Sequence, residues 1–363
     1  MKTLRLKVDP GRLDSAEAGK AIDRAAAILR AGGLVAFPTE TVYGLGANAL
    51  DADAVGRIFA AKRRPTWDPI IVHIAPAAGQ PSRRDVMLGP LVHETPDTAR
   101  RLMEAFWPGP LTLLLPRSAS VPEAVTAGRA LVGVRMPSHP VALELIRRAG
   151  VPVAAPSANV FGHISPTTAE HVLHDLDGRI DVLLDAGPTE HGVESTVLDP
   201  TQSPMVIYRP GAVTAEQIRE VAGEVTLFHG GAEPIAPPTQ SLAAPGLGLR
   251  HYAPNARLVL IEAGLNELGR ELARVTESLA GEHIGVLLPT GLTEMAKGID
   301  VTEIYEWGSW HEPEELARNL YAGLRKLDVH GCTVILCPLP PGEGIGAAIR
   351  DRLRKAAHPE TRH

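Results

Sequence analysis

Residues 32–74 read GGLVAFPTETVYGLGANALDADAVGRIFAAKRRPTWDPIIVHI, and this stretch decides the fold that the sequence predicts. The apolar run 34–37 is typical of a buried strand, and a proline ends it. Polar side chains follow at 39–43, and the small residues Gly44 and Gly46 predict turns. We therefore expect this strand to deliver polar groups to a cleft.

A helix and a second strand complete this stretch. Asp51 is placed to cap a helix whose apolar side chains share one face, and the helix ends in the basic run 62–64. The apolar strand predicted at 70–74 carries His73. Two strand ends, a hydroxyl-rich turn and fixed cations together indicate a site for an anionic, phosphate-bearing ligand.

Composition limits the class of protein. A chain of 363 residues is long enough for two domains, and 44% apolar with 21% charged residues is typical of a soluble globular protein. No apolar run approaches the roughly 18 residues of a membrane span, and the start is too short and too charged for a signal peptide. We therefore expect no membrane association and a cytoplasmic location. The net charge of −6 argues against a global basic field for nucleic acid, although a local basic groove remains possible.

Polar motifs recur where the apolar strands of the first 226 residues end. They are PTET, KRRP, GVRMP, PSAN, SPT, EST and YRPG. A single mixed sheet would gather these strand ends along one edge. We predict that the SPT motif at 165–167 caps a helix and that Thr214 and Gln217 form a capping box for another.

The rest of the chain has a different pattern. Residues 227–254 are rich in Gly, Pro and Ala without periodicity, which predicts a linker. Our hypothesis is that this linker, in its part from Ser241 to Pro254, crosses the cleft. Apolar strands alternate with helices over 255–363, which predicts a small Rossmann-like α/β domain. Within it, we interpret the glycine-rich run 342–346 as a strand-to-helix turn rather than a nucleotide loop, because its spacing is not G-x-G-x-x-G. Cys332 and Cys337, predicted to lie in one strand, are expected to be buried and free.

Two groups of cations have competing interpretations. The basic run 62–64 is either a solvated helix end or a phosphate site, and the proline that follows favours the second. Arg135 ends an apolar strand with no acidic neighbour in sequence. Its partner is either a ligand carboxylate or an internal acid such as Glu40 or Glu194.

The serines and histidines give weaker signals. Ser157 and Ser195 lie outside any G-x-S-x-G motif, so hydroxyls that hold a ligand fit them better than nucleophiles. His73 is either a core histidine or a ligand contact. His171 and His174 have a spacing that a metal could use, but we expect them at the surface.

The ordered motifs resemble those of the YrdC/Sua5 family, which makes the threonylcarbamoyl-AMP precursor of N6-threonylcarbamoyladenosine in tRNA. The matching segments, in order, are FPTETVYGLGANA, K-x-R-P with DPIIVHI, WPGPLTLLL, GVRMP, APSAN, SPT, ESTVLD and YRPG. They cover about residues 15–215, and the linker ending in RHYAP with the C-terminal segment resembles the longer, Sua5-type members. The resemblance implies a YrdC-like twisted mixed sheet at 1–226, the linker 227–254 and a Sua5-type domain at 255–363.

The resemblance also implies site residues. The L-threonine site would comprise Thr41, His73, Arg135, Ala155 and Ser195. The ATP site would comprise Lys62, Arg64, Asp68, Thr112, Ser157, Ser165, Arg209 and Tyr252, with Lys62 and Arg64 as the catalytic residues. One departure stands out, because the family usually has asparagine where this chain has Asp68. A carboxylate there either helps to hold Mg²⁺ or turns away from the phosphates.

The implied reaction joins L-threonine, bicarbonate or CO₂, and ATP, with Mg²⁺ bound through the ATP phosphates. The implied partner is a tRNA threonylcarbamoyltransferase that receives the product. Two rival interpretations remain. One is carbamoyl-adenylate chemistry of the hydrogenase-maturation type, but the chain has no C-x-x-C pair. The other is an RNA-binding YrdC-like module, which the acidic net charge and the few aromatic residues disfavour without excluding weak binding.

Overall fold

The structure is a computed structural model that describes residues 2–76, 85–228, 241–244, 246–248 and 251–357. It divides into two compact units. The first comprises Met1–Phe161, Pro166–Glu190 and Glu194–Leu247, and the second comprises Gly162–Ser165, His191–Val193 and Gly248–His363. Much of the predicted linker, at 229–240, 245 and 249–250, lies outside the described residues.

The first unit is built on one mixed sheet. Its strands are β1 (Leu4–Lys7), β2 (Val35–Phe37), β3 (Gly44–Asn48), β4 (Val72–His73), β5 (Leu111–Pro116), β6 (Leu131–Arg135), β7 (Val153–Ala154), β8 (Val182–Asp185), β9 (Thr196–Asp199), β10 (Met205–Arg209) and β11 (Val225–Leu227). Their order across the sheet is β1-β8-β2-β3-β7-β4-β6-β5-β9-β10-β11. Parallel pairs such as β4 with β6 alternate with antiparallel pairs such as β5 with β6, which confirms the predicted mixed sheet.

Helices cover this sheet and bury its apolar side chains. They are α1 (Ala16–Arg30), α2 (Ala52–Lys62), α3 (Asp85–Leu88), α4 (Asp97–Phe106), α5 (Glu123–Thr126), α6 (Pro140–Ala149), α7 (Ala169–Leu176) and α8 (Ala215–Ala222). Ile22 and Leu29 of α1 and Phe37 of β2 are fully buried in a common core. Truncating a side chain such as Phe37 to alanine would cost about 3–5 kcal/mol of stability.

Local sequence signals explain several of the helix starts. Ser15 caps α1 and Asp51 caps α2, each accepting a backbone N–H from the first turn, and Thr214 with Gln217 forms the predicted capping box of α8. The prediction that 165–167 caps the next helix is wrong. Thr168 is the cap of α7, because its hydroxyl accepts the His171 N–H.

The turn predicted at Gly44 and Gly46 is also wrong, because these residues form β3. A Cβ at Gly46 would lie 2.8 Å from side-chain atoms of both Phe37 and Val153, so glycine is needed for close strand packing rather than for a turn. The second predicted strand is shorter than expected, since only Val72–His73 pairs.

Strand register brings distant parts of the chain together at the sheet centre. His73 in β4 lies opposite Arg135 in β6 and opposite Val153 in β7. On the neighbouring pair of β5 and β9, Thr112 lies opposite Val197. Residues that are far apart in sequence are therefore neighbours in the sheet.

The second unit contains a smaller, fully parallel sheet. Its elements are β12 (Arg257–Ile261), α9 (Leu265–Glu277), β13 (Ile284–Leu288), a 3₁₀ turn (Thr293–Ala296), β14 (Glu303–Glu306), α10 (Pro313–Val329), β15 (Val334–Pro338) and α11 (Gly346–Ala357). The strand order is β12-β15-β13-β14, with β12–β15, β13–β15 and β13–β14 all parallel. This confirms the predicted Rossmann-like α/β arrangement, although β14 was not predicted.

Two details of the second unit test the sequence interpretation. The glycine-rich run follows β15 and ends at Gly346, the first residue of α11, so it forms the predicted strand-to-helix turn. A Cβ at Gly346 would meet the Pro341 carbonyl oxygen at 2.1 Å. Both cysteines are buried and free, as predicted, but Cys332 precedes β15 instead of sharing the strand with Cys337. In the described ranges, no helix is both long enough and apolar enough to cross a membrane.

Candidate active site

Arg135 ends β6 and is held by three acceptors of the first unit. Its Nε donates to the Gly109 carbonyl at 3.2 Å, its Nη1 donates to Thr41 Oγ1 at 3.0 Å, and its Nη2 pairs with Glu40 Oε1. Arg135 and Glu40 are at most 4% exposed. Of the alternatives that the sequence left open for Arg135, the structure contains the internal ion pair, with Glu40 as the partner.

The loop between β2 and β3 positions Thr41 for this contact. Thr39 Oγ1 lies 2.8 Å from Thr41 Oγ1 and accepts the backbone N–H groups of Thr41 and Val42. It also donates to the Val42 carbonyl at 2.7 Å. Thr39 was not predicted as a site residue, and its signal in sequence is the paired threonines of the PTET motif.

His73 is a buried, neutral histidine beside Arg135. Its ring stands edge-on to Phe37, with the ring centroids 6.2 Å apart. Burial, and to a smaller extent the charge of Arg135, lowers the pKa of His73 to about 3. The imidazole therefore carries no charge near neutral pH, although it lies where a ligand contact was expected.

The three side chains of the basic run at the end of α2 differ in solvent exposure. The helix ends at Lys62, and Arg63 adopts the left-handed conformation with φ 52°, which reverses the chain. Arg63 is exposed, whereas Lys62 and Arg64 are buried. The solvated-end interpretation therefore holds for Arg63 alone.

Lys62 anchors the segment that follows β7. Its Nζ donates to the carbonyl oxygens of Ser157 and Asn159, the latter at 2.5 Å. Burial, followed by the nearby charge of Arg64, lowers the pKa of Lys62 well below its usual value. Ser157 thus meets Lys62 through its backbone. Asn159 is an additional member of the group that the PSAN motif pointed to but that the sequence interpretation did not select.

Arg64 and Asp68 form a second buried ion pair. Arg64 Nη2 lies 2.9 Å from Asp68 Oδ2, and the guanidinium also donates to the Asp68 and Pro69 carbonyls. Burial raises the pKa of Asp68, and the charges of Arg64, Lys62 and Arg209 oppose that rise. These three cations therefore act on one carboxylate.

Arg209 and two hydroxyls form a neighbouring group. Arg209 donates from Nε to the Ser195 carbonyl at 3.0 Å and from Nη2 to Ser195 Oγ at 3.1 Å. Ser195 Oγ also lies 2.8 Å from Thr112 Oγ1. Ser195 contacts a cation and a hydroxyl here, and no contact of the described residues pairs it with a general base.

The remaining predicted residues are placed as follows. Ala155 follows β7 and donates its N–H to the Ile71 carbonyl at 2.9 Å. Ser165 and Tyr252 belong to the second unit and are buried. In that unit, the Arg352 guanidinium lies 5.2 Å from the centroid of the Tyr252 ring.

No group of three or more His, Cys, Asp or Glu side chains that could hold a metal occurs among the residues that the structure describes. His174 is exposed, and its Nδ1 lies 3.0 Å from Asp175 Oδ1. The Nδ1 of His171 accepts a hydrogen bond from the Thr167 N–H. The metal alternative for this histidine pair therefore gains no support. Asp68, the carboxylate raised as a Mg²⁺ ligand, is paired with Arg64 instead.

Comparison with known proteins gives a consistent family. A model of the Sua5/YciO/YrdC family, described as "Telomere recombination", matches residues 27–211. A second model, described as "Threonylcarbamoyl-AMP synthase, C-terminal domain", matches residues 213–358. The two matches account for most of the chain.

Individual relatives match at nearly full length. The threonylcarbamoyl-AMP synthase of Pyrococcus abyssi is 43% identical over 92% of this chain and 93% of its own. Those of Bacillus subtilis and Schizosaccharomyces pombe are 44% and 36% identical, over 93% and 94% of this chain and 92% and 89% of their own. The crystal structure of P. abyssi Sua5 complexed with L-threonine superposes with a TM-score of 0.84 at 40% identity, over 98% of each chain. The chain therefore belongs to the YrdC/Sua5 family, and it carries the segments that both family models describe.

Proposed function

We propose that this chain is an L-threonylcarbamoyladenylate synthase. It would form threonylcarbamoyl-AMP and pyrophosphate from L-threonine, bicarbonate or CO₂, and ATP, and is thus a nucleotidyltransferase. The observation that carries the proposal is the gathering of two separate buried groups in the first unit. One is the Arg135 cluster, which we define as Glu40, Thr41, His73 and Arg135. The other is the cation group of Lys62, Arg64 and Arg209 around Asp68.

The Arg135 cluster suits the amino-acid substrate. A guanidinium binds a carboxylate through two parallel N–H groups, and the neutral His73 adds no competing charge. We assign the L-threonine site to Thr41, His73, Arg135, Ala155 and Ser195. The match to P. abyssi Sua5, whose structure contains L-threonine, supports this assignment.

The cation group suits the nucleotide. Lys62 acts as a point charge, and Arg64 and Arg209 offer forked donors to phosphate oxygens. Thr112 and Ser157 join this group in the first unit through the contacts already described. On the family motifs alone, we also assign Ser165 and Tyr252 to ATP binding.

The chemistry follows from these charges. An N-carboxythreonine would form first: the neutral α-amine would add to CO₂ and lose one proton, or would react with bicarbonate and release water. Its carboxylate oxygen would then attack the α-phosphorus of ATP while the bond to pyrophosphate breaks. A carboxylate nucleophile carries no proton to remove at that step, which agrees with a Ser195 held by Arg209 and Thr112. Positioning and charge neutralisation by Lys62, Arg64 and Arg209 would therefore supply most of the catalysis.

Mg²⁺ would enter with the ATP phosphates, whose charge it would help to neutralise. The described residues do not form a ready-made Mg²⁺ site, because Asp68 faces three cations and is paired with Arg64. Mg²⁺ commonly binds through substrate phosphates with few protein ligands, so none is assigned here.

The product would pass to a tRNA threonylcarbamoyltransferase that modifies adenosine 37. We also propose a cytoplasmic location, where ATP and L-threonine are available, and assign the chemistry to residues 1–226.

The direct test is pyrophosphate release by the purified full-length chain with ATP, Mg²⁺ and bicarbonate, with and without L-threonine. Release that depends on L-threonine is expected. Equal release without threonine, or none with it, would reject the proposal.

A further inference from the structure

The donors of Arg135 can be counted. A guanidinium has five N–H groups, and the first unit accounts for one each on Nε, Nη1 and Nη2, through Gly109, Thr41 and Glu40. For one N–H on each Nη, the described part of the chain supplies no further acceptor. Two N–H groups on the two terminal nitrogens match the two oxygens of a carboxylate.

Glu40 has a complementary free position. Its Oε1 pairs with Arg135, whereas its Oε2 is buried and has no hydrogen-bond partner among the residues that the structure describes. A buried charged acceptor without a partner costs about 1–3 kcal/mol or more. A buried carboxylate oxygen without a partner indicates that a hydrogen-bond donor is missing. A cationic group of a ligand would be the strongest donor for it.

The ligand proposed for this cluster brings such a cation. L-Threonine is a zwitterion whose α-carboxylate and α-ammonium sit on the same carbon. The other residues assigned to it carry no negative charge: Thr41, Ala155 and Ser195 are neutral, and His73 is uncharged near neutral pH. Arg135 can match only the carboxylate, so the ammonium needs a different partner.

We infer that Glu40 is a substrate-contacting, specificity-determining residue whose Oε2 accepts the α-ammonium of L-threonine while Arg135 binds the α-carboxylate. The inference rests on the proposed function, because it concerns the same site. The anion and the cation of the Glu40–Arg135 pair then each bind the opposite charge of the zwitterion. It selects α-amino acids over hydroxy acids of the same shape.

The test compares two ligands that differ only at this group. L-Threonine and (2S,3R)-2,3-dihydroxybutanoate, which has a hydroxyl in place of the ammonium, are titrated calorimetrically into the full-length chain. Wild type should bind L-threonine roughly ten- to hundredfold more tightly, the range expected for a hydrogen bond to a charged group. Equal affinity of wild type for the two ligands would overturn the inference without any variant.

The variant Glu40→Gln distinguishes direct contact of Glu40 with the ammonium from a role in positioning Arg135. It keeps the shape and an oxygen acceptor for Arg135 but removes the charge. Its affinity for L-threonine should fall roughly tenfold or more, whereas its affinity for the dihydroxybutanoate should stay within about threefold of wild type. If Glu40 only positions Arg135, both affinities fall together, and that parallel loss would contradict the inference.

Two further variants complete the design. Glu40→Asp retains a carboxylate and should still prefer L-threonine, so it serves if Glu40→Gln does not fold; loss of that preference would count against the inference. Glu17→Gln, at an exposed position of α1, is the matched control for removing one carboxylate.

If wild type releases pyrophosphate only with L-threonine but Glu40→Gln keeps the wild-type ligand preference, the inference fails and the proposed function stands. If wild type shows no threonine-dependent release, the proposed function fails first.

Discussion

Asp68 Oδ2 lies 2.9 Å from Arg64 Nη2, and both side chains are at most 5% exposed. The carboxylate thus occupies a position beside a guanidinium assigned to ATP phosphates. Lys62 and Arg209 act on the same carboxylate. Asp68 therefore stabilises a group of buried cations, and under the proposed ATP site it would compete with phosphate for Arg64.

The first prediction concerns this competition. Asp68→Asn removes a negative charge near the phosphates and leaves Arg64 more available, so the KM for ATP should fall roughly tenfold. Stability should fall by about 1–3 kcal/mol, because a buried charge pair is broken while an acceptor is kept. ATP-dependent kinetics and thermal unfolding measure the two effects. A higher Mg²⁺ requirement with an unchanged or higher KM for ATP would show instead that Asp68 is a metal ligand.

A second prediction separates the two substrates. Arg135→Ala should raise the KM for L-threonine far more than the KM for ATP, because it removes the proposed carboxylate clamp. It also leaves Glu40 buried without its cation, which should cost about 3–5 kcal/mol of stability. Arg135→Lys is the milder comparison, since it keeps the charge and loses the forked geometry. A change confined to the KM for ATP would refute the assignment.

Lys62 gives a third prediction. Lys62→Met keeps the length of the side chain but removes the ammonium that bonds the Ser157 and Asn159 carbonyls. Loss of one electrostatic donor should cost about 2–4 kcal/mol of transition-state stabilisation, measured as kcat/KM for ATP. Arg63→Gln changes the adjacent but exposed cation and should have little effect. Similar losses in both variants would mean that only overall positive charge matters.

A fourth prediction follows from the titration of His73. Its pKa is about 3 in the folded chain, below its ordinary value near 6.5, so the unfolded chain takes up a proton first as pH falls. Stability is therefore lost as pH falls from about 6.5 towards 3, by several kcal/mol. His73→Gln should flatten this part of the stability profile measured by denaturant unfolding. An unchanged slope would show that other groups cause the acid sensitivity.

The sequence was a good guide to elements and a poorer guide to pairings. The apolar run before Pro38 and the caps Asp51 and Thr214 predicted their strand and helices because those signals are local. The turn predicted at the glycines of β3 was wrong. Gly46 is needed there because Phe37 and Val153 leave no space for a side chain. Packing of that kind has no short-range signature.

The candidate site shows the same limit. The Arg135–Glu40 pair joins residues 95 positions apart, so the sequence could only name Glu40 or Glu194 as examples of an internal partner, beside a ligand carboxylate. Lys62, Arg63 and Arg64 are consecutive, yet the left-handed turn at Arg63 sends only that side chain to solvent. The family motifs named candidate residues, but the contacts among those residues depend on strand register and long-range packing.

The central claim is that this chain transfers AMP to a carboxylated L-threonine. The most direct measurement is mass spectrometry of the products formed from ATP, L-threonine and ¹³C-bicarbonate, with pyrophosphate quantified in the same reaction. We expect ¹³C-labelled threonylcarbamoyl-AMP in equal amount to pyrophosphate, and neither product when L-threonine is left out. Pyrophosphate released without a labelled threonine adduct, or at the same rate without L-threonine, would contradict it.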